Sequence, residues 1–272
     1  MAEREKLTVD RGTGHIAIEV SGSGPLVLCV PGMGESQAAF RHLTPGLIQA
    51  GYRVATMDLR GHGDSSATFD SYDDEAAAGD VLAAIEALGQ ASAAVVGNSM
   101  GAAAAVIAAD RDPMAVARLI LIAPAVRDHS SAVGRALTRL GLMRPWGPAV
   151  WRHYYNRIFG QPRPSDHAEH VARALALLSR PGYWTAFQAT TRTSHAPAEA
   201  ALARVRARSL VIMGDADRDF PDPAEEAAWL AEALDCEYHV MAGAGHYPMA
   251  ERPEATLALV LPFLAETDDA LS

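Results

Sequence analysis

At 272 residues the chain is long enough for one sizeable domain with room for an insertion. Its 49% apolar and 21% charged residues predict a full core and exclude a disordered chain. The net charge of −10, with no interleaved basic and aromatic module, argues against a nucleic-acid partner, and no apolar run approaches the roughly 18 residues needed to span a bilayer.

In chain order, the charged start Met1 to Asp10 lacks the apolar segment of a signal peptide. Strands are predicted at His15–Val20 and Leu26–Val30, then a helix near Gln37–Ala50 and a strand at Arg53–Asp58. A helix at Asp74–Leu88, a strand at Ala93–Gly97, a helix at Ser99–Asp110 and a strand at Leu119–Ala123 follow. After a long interruption come a strand at Ser209–Gly214, a helix at Pro223–Leu234, a strand at Cys236–Met241 and a helix at Pro253–Leu264. Leu26-Val27-Leu28-Cys29-Val30 and Leu119-Ile120-Leu121-Ile122 are continuously apolar, as a parallel sheet covered on both faces requires. Such α/β sheets place ligands beyond the C-terminal ends of their strands. The two cysteines, Cys29 and Cys236, have neither disulfide nor metal spacing and read as small core residues in a reducing, cytoplasmic setting.

Gly97-Asn98-Ser99-Met100-Gly101 matches G-x-S-x-G between a strand and a helix. That turn forces its central residue into a strained backbone conformation and lifts the serine clear of the sheet. Serine attacks poorly at neutral pH unless a base takes its proton, and the base needs an orienting acid. Of the ten histidines, His246 lies on the glycine-bounded loop Gly243-Ala244-Gly245-His246-Tyr247-Pro248, just past a strand. Asp215, Asp217 and Asp219 all follow the strand at Ser209–Gly214 and are candidates for the acid.

With these motifs the chain resembles the α/β-hydrolase superfamily, from about Ile16 to Leu264. Val30-Pro31-Gly32-Met33-Gly34 looks like the family's oxyanion loop, and Met57 to Ser65 like its loop after the fourth strand. Gly214 to Pro221 looks like its G-x-x-D-x-x-hydrophobic-Pro acid loop, a match that selects Asp217. The resemblance implies an α/β fold with a mostly parallel open sheet and a helical cap inserted after the sixth strand: core at 1–126 and 209–272, cap at 127–208. It further implies a Ser99–His246–Asp217 triad, with the backbone N–H groups of Met33 and Met100 as oxyanion donors. His62, in Arg60-Gly61-His62-Gly63, takes a structural part by the same analogy. Gly-Asn-Ser-Met-Gly also occurs in hydrolases of carbon–carbon bonds, although this chain has Tyr247 where those carry Trp and Ala102 where they carry Gly. Asp at the position of Ser99 would mark an epoxide hydrolase or dehalogenase.

Between Arg127 and Arg208 strands vanish and aromatic-bearing helices take over. That segment holds thirteen arginines, no lysine and four acidic residues, a net +9, so the remainder of the −10 chain carries −19. Complementary charge holding the two parts together, or a general arginine bias, explains this more simply than steering of an anionic substrate. His129, His153, His167, His170 and His195 fall here without metal-ligand spacing and read as surface or packing residues. Substrate contacts are expected from Gly32, Asn98, Trp146, Trp151, Tyr154 and Tyr247. The expected function is hydrolysis of a carboxylic ester or lactone of a small to medium apolar substrate, without cofactor or metal, by a protein that could form a homodimer. The alternatives are a carbon–carbon hydrolase, an acyl-transfer or cyclising enzyme with the same triad, and a non-hydrolytic receptor.

Overall fold

The computed structural model describes residues 4–129 and 131–266; the expected ends of the core, 1–3 and 267–272, lie outside the described residues. Eight strands form one sheet: β1 (Glu5–Asp10), β2 (His15–Ser21), β3 (Leu26–Val30), β4 (Arg53–Met57), β5 (Ala93–Asn98), β6 (Val116–Ile122), β7 (Arg208–Gly214) and β8 (Glu237–Met241). Their order is β1-β2-β4-β3-β5-β6-β7-β8. β1 and β2 are antiparallel to each other, and β2 to β4. The pairings from β4 to β8 are parallel. All five residues of β3 are buried, as the apolar run predicts.

α2 (Asp74–Ala87) and α3 (Met100–Arg111) pack on one face of the sheet with α9 (Pro223–Leu234). α1 (Thr44–Gln49) and α11 (Pro253–Ala265) cover the other, with the short α10 (Pro248–Glu251). Two expectations need correction. The charged start contains β1, an edge strand whose Leu7 and Val9 alternate with polar residues and pack on the core. The expected helix at 37–50 is broken into a 3-10 turn at Gln37–Phe40, capped by Ser36, and α1, which begins anew with proline in its first turn.

Between β6 and β7 the described residues form helices and no strand: α4 (Ala132–Gly141), α5 (Gly147–Arg157), α6 (His167–Leu178), α7 (Tyr183–Thr190) and α8 (Ala196–Ala201), then a 3-10 turn. Their aromatics pack mainly on one another: Trp151 lies tilted against Phe187 with ring centroids 4.6 Å apart, and Trp184 against Phe187 at 5.2 Å. Charge pairs join these helices to the sheet body, which favours the cohesive reading of the basic segment. Arg127 binds Glu226, Arg204 binds Asp110 at 2.6 Å, and Arg41 of the body binds Asp166 at 2.6 Å. Cys29 is fully buried in β3, and burial raises its thiol pKa far above the usual range; Cys236 lies just before β8 rather than in it. No helix among the described residues is long and apolar enough to cross a membrane.

Candidate active site

Ser99 follows β5 and precedes α3 with φ 53° and ψ −122°, a left-handed conformation that non-glycine residues adopt only under constraint. The constraint is the close approach of strand and helix. A Cβ on Gly97 would lie 2.6 Å from the Ala102 Cα, and one on Gly101 would lie 2.3 Å from the Val30 carbonyl oxygen. The Ser99 N–H donates to the Ile122 carbonyl at 3.1 Å, which ties the turn to β6.

Asp217 and His246 reach the same place from the ends of β7 and β8. His246 Nδ1 lies 2.7 Å from Asp217 Oδ2, and both side chains are buried. The Asp219 N–H donates to Asp217 Oδ1 at 2.9 Å and so fixes the acid's orientation. Asp219 itself stands on the opposite side of the imidazole: its Oδ2 is 3.8 Å from His246 Nε2, and its Oδ1 accepts a hydrogen bond from the Tyr154 hydroxyl of α5. Of the three aspartates, then, Asp217 meets Nδ1, Asp219 faces Nε2, and Asp215 caps the loop by accepting from the Gly243 N–H at 2.7 Å. Burial disfavours the imidazolium, but the Asp217 carboxylate and its hydrogen bond, then Asp219 and Glu251, outweigh it and raise the His246 pKa to about 9.

Asn98 bridges the serine turn and the histidine loop, its Nδ2 donating to the carbonyls of Ile122 and His246, each at 3.1 Å. It is fully buried, and its Oδ1 has no hydrogen-bond partner among the described residues. Among the described residues no hydrogen bond joins Ser99 Oγ to His246 Nε2; such bonds commonly tighten only when substrate is bound.

Gly32 lies over the serine, since a Cβ there would be 2.8 Å from Ser99 Cβ. Neither the Met33 nor the Met100 N–H has a protein acceptor among the described residues. The Met100 side chain packs into the core. Trp151 lies against Gly34, where a Cβ would be 2.2 Å from its ring, and thus seats α5 on the loop after β3. Tyr247 is buried edge-on to His246, with ring centroids 5.1 Å apart. Trp146 departs from expectation: it is 47% exposed, donates to the Leu140 carbonyl at 2.9 Å, and makes none of the ring contacts that tie Trp151 and Tyr247 to the site.

Sequence reasoning missed two buried acids. Glu251 gathers three amides, Oε2 accepting from Gly160 at 2.7 Å and Gly245 at 2.9 Å, and Oε1 from Tyr247 at 3.0 Å. Glu35, next to the Gly32–Gly34 loop, meets His170 of α6 at 3.0 Å with both side chains buried. His170 is therefore an internal bridge and not a surface residue, and His167, with Asn156 at 2.8 Å, is likewise buried. His62 fits its structural reading: it is fully buried, contacts the Arg60 carbonyl at 3.0 Å, and burial lowers its pKa to about 4.

A serine on a strained strand-to-helix turn, with an Asp–His pair delivered by the following strands, defines the α/β-hydrolase class. The chain belongs to the alpha/beta hydrolase family, whose model matches residues 27–259. It is 30% identical, over 96% of its length and 90% of the relative's, to the 2-hydroxymuconate semialdehyde hydrolase of Pseudomonas sp. strain CF600. A shorter likeness, 36% over 38% of this chain and 30% of the relative, is to epoxide hydrolase B of Mycobacterium tuberculosis. The bromoperoxidase of Bacillus anthracis superposes with a TM-score of 0.84 at 18% identity, covering 97% of this chain and all (100%) of that one, a likeness of fold.

Proposed function

We propose that the protein is a serine hydrolase of carboxylic esters or lactones with an uncharged acyl part, working through an acyl-enzyme. The observation that carries this reading is the left-handed Ser99 beside the 2.7 Å Asp217–His246 pair. In the proposed cycle His246 Nε2 takes the Ser99 proton as Oγ attacks the carbonyl carbon. Asp217 keeps Nδ1 protonated and stabilises the imidazolium. The N–H groups of Met33 and Met100 receive the oxyanion, each contributing on the order of 3 kcal/mol to the transition state. The carbon–oxygen bond to the alcohol breaks, Nε2 returns the proton to that alcohol, and water then releases the acid by the same route. The helices between β6 and β7 serve as the cap that shields these steps from solvent.

The likeness to a 2-hydroxymuconate semialdehyde hydrolase favours carbon–carbon cleavage as a second reading. Against it stands Asp219, a carboxylate that faces Nε2 where a muconate would bring another negative charge. Ser99 in place of aspartate speaks against the epoxide hydrolase chemistry of the shorter match.

A fluorophosphonate tests the reading without a guessed substrate. One adduct is expected, on Ser99, lost in Ser99→Ala and slowed at least a hundredfold in His246→Ala. An unlabelled wild-type protein would turn attention to a binding protein on this scaffold. The pH profile gives a second check. His246 works as a base only when neutral, so kcat/KM for an uncharged ester should climb with pH and level off above about 9. A plateau already reached at pH 7 would show that the carboxylates around the imidazole do not hold its proton.

A further inference from the structure

Asp219 is not needed by the triad, yet its carboxylate is held in the site from two sides. Its backbone N–H is bound to Asp217 Oδ1 at 2.9 Å, and its Oδ1 accepts from Tyr154. Tyr154 is in turn stacked on Trp151 at 5.3 Å, so α5 and the loop after β7 together fix the group. That leaves Oδ2 directed at His246 Nε2, 3.8 Å away.

Nε2 is the nitrogen that hands a proton to the departing alcohol. Whatever lies within 4 Å of it on the side away from Asp217 therefore lies beside the leaving group. We infer that Asp219, positioned by Tyr154, forms a leaving-group subsite that selects alcohols bearing a cationic group and rejects alcohols bearing a carboxylate. This rests on the serine-hydrolase reading above and names the substrate class of that same site.

The physical argument has two parts. A cationic alcohol meets a carboxylate that touches a phenol and an imidazole and lies within electrostatic reach of His195, so charge is matched across a short gap. Asp219 is 34% exposed, which screens the interaction and keeps the expected preference to about ten- to a hundredfold. A cation beside Asp219 also offsets one of the carboxylates that keep His246 protonated, which frees the base at the moment of binding. Arg157, one helical turn after Tyr154, is exposed and therefore a weak competitor for this carboxylate.

The test is a set of esters of one acyl chain with leaving alcohols of similar size: choline, 3,3-dimethylbutanol and 3-hydroxypropanoate. For the wild-type protein kcat/KM should fall in that order, with about tenfold or more between the first and last. Asp219→Asn should compress the span to under about threefold, and Tyr154→Phe, which keeps the charge, should preserve the order. Raising the salt concentration should narrow the wild-type span. A flat wild-type series, or an unchanged order in Asp219→Asn, overturns the inference, provided the neutral ester is cleaved and Ser99→Ala abolishes that cleavage. If no ester is cleaved in a Ser99-dependent way, and Ser99 takes no fluorophosphonate, the serine-hydrolase reading falls and this subsite falls with it.

Discussion

Ser99→Ala should lower kcat by about 10⁴-fold or more while the thermal midpoint stays within a degree or two of wild type. The side chain makes no capping hydrogen bond to α3, so its loss leaves no buried partner stranded. The informative companion is Ser99→Gly. At φ 53° and ψ −122° a Cβ is strained and a glycine is not. Removing a strain of this kind contributes about 1–3 kcal/mol, offset by roughly 0.5–1 kcal/mol of extra chain entropy in the unfolded state. Ser99→Gly should therefore be about 1 kcal/mol more stable than Ser99→Ala in urea unfolding, and equally inactive. Such a gain would place the strain at the nucleophile, where stability is given up for a serine lifted clear of the sheet. Equal stability of the two variants would show that the turn relaxes, and residual turnover above a hundredth of wild type would remove Ser99 from the chemistry.

The parts of this site that could be read from the sequence are those encoded within a few consecutive residues. Gly97 to Gly101 is legible as a motif because its glycines, the serine and the strand before it are consecutive; the Gly97 clash is with Ala102 of the same turn, although that of Gly101 is with Val30 of the neighbouring β3. Asp217 and His246 each close a strand and fall in the expected order. What escaped depends on segments far apart in the chain. Which nitrogen of His246 meets which aspartate is set by how the loops after β7 and β8 cross, not by the spacing Asp215, Asp217, Asp219. β1 escaped because an edge strand needs only one apolar face, and Leu7 and Val9 are too few to stand out among charges. Trp146 was expected in the pocket on residue type alone, and residue type does not say which side of a helix faces inward. The Glu35–His170 contact spans 135 positions, a separation no local pattern signals.

Glu251 is the clearest case of a missed residue whose loss should be felt. Its carboxylate binds Gly245 and Tyr247 on either side of His246, and Gly160 in the loop after α5, so one side chain holds the histidine loop and the inserted segment together. Burial raises its pKa, and the three amides draw it back toward ionisation. Glu251→Ala would leave those amides without an acceptor in a site where water has little room, since the residue is only 7% exposed. The expected result is about 3 kcal/mol of lost stability in urea unfolding and a kcat/KM reduced on the order of tenfold to a hundredfold, because the imidazole is no longer fixed to within the fraction of an ångström that proton transfer needs. Glu251→Gln retains one acceptor oxygen and should fall between the two. The charge of Glu251 also helps hold the proton on His246, so both variants should move the rising limb of the pH profile to lower pH. A Glu251→Ala protein with wild-type stability and an unshifted profile would show that Asn98, the backbone of Ile158 and Asp217, the other tethers on His246, suffice to hold the histidine loop.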